Sequence, residues 1–151
     1  MTVPVARPAA RVLLVDAGGR LLLFRGSDPA APEGGTWWIT PGGGLEPGES
    51  RAQGAARELR EESGLVVEPE RLGEPVLDRA VEFSFDGVRY AQDEVFYLVR
   101  VDAHTVDTAG FTALEQRFVA EHRWWDREAL RTTDERVFPE GLAQLLDRLA
   151  A

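Results

Sequence analysis

Apolar residues fall along this chain in short runs, separated by breaks rich in glycine, proline and aspartate. Residues 11–16 (RVLLVD) and 21–25 (LLLFR) read as buried strands, and Ala17, Gly18 and Gly19 between them give a hairpin signal. Residues 27–35 are rich in Pro, Gly and Asp and predict a loop, followed by a short strand, Trp37-Trp38-Ile39-Thr40. The pattern then changes to helical spacing. Ser50 is an expected N-cap, residues 52–63 the helix, and Gly64 its stop. Residues 65–67 and 73–78 read as short extended pieces. Strands at 81–85 and 88–101 flank Asp86-Gly87, a strong hairpin signal. Beyond a loop at 103–110 come a helical turn at 114–118, a strand at 120–125, a short helix at 127–131 and an amphipathic helix at 140–149. Residues 1–8 read as a loose arm. Strands around one central helix, with another helix closing the chain, predict an α/β fold with a mixed sheet covered on both faces.

Chemistry concentrates at residues 43–65, GGLEPGESRAQGAARELREESGL. Glu58, Glu61 and Glu62 stand at i, i+3 and i+4, so a helix gathers their carboxylates on one face. Like charges stacked this way repel one another, and a divalent cation between them resolves the conflict. Gly42, Gly43 and Gly44 let the backbone turn sharply and come close to a ligand. A solvated acidic helix needs neither that glycine run nor Gly64.

Gly43, Glu49 and the run Arg57-Glu58-Leu59-Arg60-Glu61-Glu62-Ser63-Gly64-Leu65 reproduce the spacing of the Nudix box. The chain resembles the MutT-like Nudix hydrolase family. The resemblance implies the Nudix fold, an α/β/α sandwich, over one domain spanning residues 1–151 with the box at 43–65. It implies Mg²⁺, with Mn²⁺ as its alternative, held by Glu58 and Glu62, with Glu61 next and the Gly42 carbonyl joining them. Arg57 is expected to orient a box glutamate, Glu58 or Glu49, and Glu49 to support the loop. The general base stays open between Glu58 and an acid beyond the box: Glu94, Glu115 or Glu121, with Asp93 behind them. Glu115 follows the 103–110 loop, from which it can swing toward the metals.

For substrate, the resemblance implies a nucleoside diphosphate linked to another moiety, with nucleoside triphosphates second. Gly43 and Gly44 would lie against it. Arg25, Arg51 and Arg123 are candidate phosphate contacts. Trp37 and Trp38, like Trp124 and Trp125, are neighbours on strands and point to opposite faces. One of each pair is therefore expected in the core and the other free to stack on a base, with Trp38 taken as a substrate residue. His104 and His122 lack a ligand-spacing partner and read as structural.

Composition narrows the alternatives. The 151 residues carry a net charge of −9, a poor match for nucleic acid or an anionic membrane, whose nonspecific binding needs cationic surface. Bound cations would reconcile that charge with a phosphorylated substrate. The absence of cysteine removes disulfides, thiolate ligands and a cysteine-dependent isomerase. No signal-like start or spanning run is present, so a cytoplasmic protein is expected. A homodimer, common among relatives, stays open. The competing class is a catalytically silent nucleotide-binding sensor. Such proteins often lose box glutamates, whereas this chain keeps all of them.

Overall fold

The computed structural model describes residues 3–150. Its strands are β1 (Val5–Val15), β2 (Leu21–Ser27), β3 (Thr36–Ile39), β4 (Gly42–Gly44), β5 (Leu77–Phe85), β6 (Val88–Arg100), β7 (Val119–Trp125) and β8 (Val137–Phe138). Its helices are α1 (Arg51–Ser63), α2 (Ala113–Phe118), α3 (Arg127–Thr132) and α4 (Leu142–Ala150). No helix among the described residues is long and apolar enough to cross a membrane.

Local chemistry sets the turns. The Asp16 carboxylate accepts from the N–H groups of Gly18 and Arg20, which closes the β1–β2 hairpin. At the β5–β6 hairpin Asp86 and Gly87 both take positive φ, as a type I′ turn requires. In α1 the Ser50 hydroxyl accepts from the Gln53 N–H while the Gln53 side chain accepts from the Ser50 N–H. Gly64 then ends the helix in the left-handed conformation.

Alternation along the strands divides the core in two. Val12, Leu14, Leu22, Phe24, Val95 and Tyr97 face one way and meet Ala55 and Leu59 of α1. Leu13, Val15, Leu21, Leu23 and Phe96 face the other way and meet Leu142, Leu145 and Leu146 of α4. The sheet is thus covered on both sides, as the α/β/α expectation required. Truncating Leu59 to alanine would remove the centre of the first layer, at a cost of about 3 kcal/mol.

The sheet is not continuous across its middle. β1 and β2 pair only at Val15 and Leu21, beside their turn. Beyond that point β1 takes up β4 through Ala9–Gly44, Ala10–Gly43 and Arg11–Gly42, and β2 takes up β7. On its other edge β1 runs parallel to β6 from Val5–Tyr90 to Val15–Arg100. The result is two wings, β5-β6-β1-β4 and β7-β2-β3-β8. The opening between them positions the site.

The arm expected over residues 1–8 is corrected. Met1 and Thr2 lie outside the described residues, but from Val5 the backbone is already strand. Pro8 reads as a break because it lacks an N–H, yet its carbonyl accepts from Leu45 and the strand continues through it. β4 and β8 have no counterpart in the sequence reading. Residues 65–67 form no strand, and in the 73–78 segment the strand begins only at Leu77.

Candidate active site

The site begins with the way α1 is buried. Its inward face carries Ala55, Leu59 and Ser63, and just before the last two it carries Glu58 and Glu62. Burying the apolar stripe draws the two carboxylates inward with it; each is under a tenth exposed. Opposite them runs β4. Gly42 sits at a φ of 140°, and a Cβ there would strike the Ala10 carbonyl, so only glycine fits. Its N–H donates to Glu62 Oε2 at 2.9 Å. At Gly43 a Cβ would stand 2.9 Å from Glu58 Oε1, so the bare backbone makes room for that carboxylate.

The third carboxylate comes from outside α1. Glu115 is the N3 residue of α2, where its side chain accepts from the Thr112 N–H and completes a capping box. It is also buried, and one oxygen from each of Glu58, Glu62 and Glu115 lies within 4.8 Å of the others. The cap and the cluster share one side chain, so folding of the short α2 helix carries Glu115 into the site.

Burial and mutual repulsion act on the charges of this cluster. Burial is the main force raising the Glu62 pKa well above the usual carboxylate range, with a hydrogen bond to Glu115 and the charges of Glu58 and Glu115 adding to it. Burial also raises Glu58, opposed by Arg57 and reinforced by Glu115 and Glu61. A close set of hard oxygen donors carrying unrelieved negative charge fits a divalent cation such as Mg²⁺ or Mn²⁺.

Arg57 organises the loop around this cluster. It grips Glu49 with two parallel hydrogen bonds, Nε to Oε2 at 2.7 Å and Nη2 to Oε1 at 3.0 Å. The same guanidinium reaches Glu58 and Glu61, both at 3.2 Å, and the Gly44 carbonyl at 3.2 Å. Its hydrogen bond with Glu49 is the main cause lowering that carboxyl and raising the arginine. Glu49 also accepts from the Glu46 N–H at 3.0 Å, so it ties the loop to the helix.

A cavity of about 650 Å³ opens over the cluster between the two wings. Phe83 and Tyr90 line one side, Trp37 and Arg136 another, and Arg7, Arg11 and Arg79 lie among them.

Several expected site residues stand elsewhere. Glu61 lines the same cavity but is outside the carboxylate cluster; Arg57, four residues earlier on the helix, holds it, and Glu115 takes the third place. The Gly42 contact to the cluster is made by its N–H. Arg25 pairs with Glu121 at 2.9 Å, away from the cavity lining. Arg51 donates to the Ala9 and Asp93 carbonyls and ties β1 to β6. Trp38 is only 2% exposed and packs edge-on against Trp125, so it is core and Trp37 is the member facing the cavity. Arg123 lies over both buried indoles. Glu94 is buried between Arg11 and Arg79, at 2.6 and 2.7 Å, rather than joined to the cluster. Sequence reasoning missed Arg7, Arg11 and Arg79. Arg7 and Arg11 are an even number of residues apart and so share a strand face, a signal hidden by reading residues 1–8 as an arm.

A split mixed sheet between helices, with a glycine strand facing paired glutamates on one helix, is the architecture of a known class. The NUDIX domain model matches residues 5–148, and the chain belongs to the Nudix family. An RNA pyrophosphohydrolase from Novosphingobium aromaticivorans is 39% identical over 62 residues, which cover 41% of this chain and 37% of that protein. The match thus spans well under half of that relative. Among solved structures, the MutT protein from Methanosarcina mazei superposes with a TM-score of 0.70 at 19% identity, over 99% of this chain and 96% of that one. The Ap4A hydrolase of C. elegans superposes at 0.56 with 19% identity, over 95% of each chain. These structural likenesses concern the fold.

Proposed function

We propose that this chain hydrolyses a phosphoanhydride bond in a nucleotide, either a nucleoside diphosphate linked to another moiety or a nucleoside triphosphate. The observation that carries this reading is the buried Glu58–Glu62–Glu115 cluster at the floor of the cavity. Glu58 and Glu62 would hold Mg²⁺ or Mn²⁺, which when bound supplies charge neutralisation for phosphate oxygens and acidifies nearby water. Glu115 approaches from a different element and is suited to accept the proton of the attacking water at its carboxylate. Arg57 acts through others: it fixes Glu58 and, through Glu49, the turn that carries Gly43 and Gly44 beneath the substrate. Loop and helix are in place before the substrate arrives, and such preorganisation lowers the cost of reaching the transition state. The names of the relatives, an RNA pyrophosphohydrolase and an Ap4A hydrolase, support the same bond type.

A screen for phosphate and nucleotide release with Mg²⁺ tests this. It covers ADP-ribose, dinucleoside polyphosphates, nucleoside triphosphates, nucleotide sugars and coenzymes, in water enriched in ¹⁸O. The expected result is turnover of one class, with label in a phosphate product. Turnover of nothing, with nucleotide binding retained, would replace the hydrolase with a sensor.

A further inference from the structure

The arginines around the cavity are mostly committed. Arg57 is held by Glu49, Glu58 and Glu61, and Arg11 and Arg79 by Glu94. Arg51 and Arg25 are tied down outside it, and Arg136 donates to the Gly34 and Thr36 carbonyls. Arg7 is different. It is half-buried and lines the cavity, yet among the described residues no carboxylate lies within ion-pair distance of it.

Its position is specific. Arg7 lies on β1 beside β6, and its guanidinium stands 5.0 Å from the centre of the Tyr90 ring. Tyr90 in turn meets Phe83 across the β5–β6 pair at 5.5 Å. On the other side the Arg7 guanidinium rests on Gly44, where a Cβ would collide with it. Arg7 therefore stands between an aromatic wall and the glycine strand that backs the carboxylates. Burial, first, and the neighbouring Arg11 charge act against its protonated form, and the charges of Tyr90, Glu58 and Glu94 offset them only in part. A half-buried cation with no ion-pair partner is costly, and an incoming anion relieves that cost.

We propose that Arg7 is a substrate-binding residue that grips a phosphate of the substrate, while the Phe83–Tyr90 wall takes its ring. This deepens the nucleotide-hydrolase reading and rests on it, but its test does not need turnover. A ligand lying along this wall presents its ring to Phe83 and Tyr90, passes its phosphates by Arg7, and reaches the cluster with the bond to be cleaved. The competing account makes Arg7 a structural cation that only stacks on Tyr90.

Calorimetric titration in Mg²⁺ separates the two, with three probes: adenosine, its α,β-methylene diphosphate, and methylenediphosphonate, which has no ring. Arg7→Ala is expected to weaken both phosphonate probes about tenfold or more and to leave adenosine unchanged, because a charge-assisted fork is lost. Phe83→Leu is expected to weaken adenosine and the nucleotide analogue but not methylenediphosphonate. Arg7→Lys keeps the charge without the fork; about threefold to tenfold weakening is expected there, and it serves if the alanine variant does not fold. Unchanged phosphonate binding in the Arg7 variants overturns the proposal, as does an equal loss of adenosine and phosphonates. Arg7-dependent binding of the phosphonates, with no compound turned over in the release screen, would sink the hydrolase reading and leave this one standing.

Discussion

Replacing Glu62 with glutamine is expected to abolish turnover while raising the thermal midpoint of the metal-free protein. Both effects follow from the same burial. Glu62 lies beside Glu58 and Glu115, and its carboxyl is pushed well above its ordinary range. A group with a raised folded pKa adds stability while it is protonated. That contribution is complete below the ordinary carboxylate range and is lost as pH rises through the folded value. As pH rises above the ordinary carboxylate range, the metal-free protein therefore carries a growing cost from this cluster. Glutamine removes the charge, and its amide oxygen still accepts the Gly42 N–H. A gain of about 2–6 °C at pH 8, falling away toward pH 5, corresponds to relief of one or two kcal/mol in a chain of this size. Mg²⁺ is expected to stabilise the wild type at pH 8 more than at pH 5, because its ligands must be deprotonated, and to stabilise Glu62→Gln little at either. Loss of a metal-holding carboxylate is expected to lower kcat by about a thousandfold or more. Scanning calorimetry with and without Mg²⁺, beside steady-state kinetics, checks each part. A variant less stable than wild type at pH 8 without metal would contradict the account of the cluster.

Arg57→Ala is expected to damage both fold and activity. Its side chain is 16% exposed and Glu49 is 12% exposed, so the variant strands a carboxylate that has little access to water. Breaking a pair of this kind costs about 3 kcal/mol. Glu49 has a lowered pKa in the fold, chiefly through its hydrogen bond with Arg57. The stability it contributes is therefore present above the ordinary carboxylate range and lost as pH falls through the depressed value. The variant is expected to lose that acid-side slope in urea unfolding followed against pH. Without the guanidinium, the Gly44 carbonyl, Glu58 and Glu61 lose their common anchor, and kcat is expected to fall about a hundredfold, as when positioning is lost near the chemistry. Arg57→Lys should recover little, since one ammonium cannot reproduce the paired hydrogen bonds to Glu49. Full stability and unchanged kcat in the alanine variant would show that the network is incidental.

Local signals made α1 and its setting legible in the sequence. Ser50, Gly64 and the i, i+3, i+4 glutamates act within a turn or two of helix, and the structure reproduces them. Hairpins at Gly18-Gly19 and Asp86-Gly87 were legible for the same reason. Most of the misreadings are matters of long-range partnership. Alternation requires one of Trp37 and Trp38 to be buried, but which one depends on the layer supplied by Trp125 and α4, which lie far along the chain. Arg25 and Arg51 read as free cations until Glu121 and the Asp93 carbonyl are brought beside them. Glu61 has the right helical spacing for the cluster, and the equally local i+4 relation to Arg57 takes it away. β4 left no trace because three glycines cannot alternate. Glu115 was legible only as one of several acids beyond the box, since nothing in its neighbours says that α2 brings it beside Glu58 and Glu62.

The claim at the centre of this account is that carboxylates from two helices, Glu58 and Glu62 on α1 and Glu115 on α2, make one reaction centre. The most direct measurement compares kcat/KM of Glu115→Gln and Glu61→Gln on the substrate that the release screen returns. The account predicts a loss of about a hundredfold or more for Glu115→Gln, the scale of a missing general base, with Glu61→Gln retaining most of its activity. The reverse order, with Glu115→Gln near wild type and Glu61→Gln inactive, would contradict it.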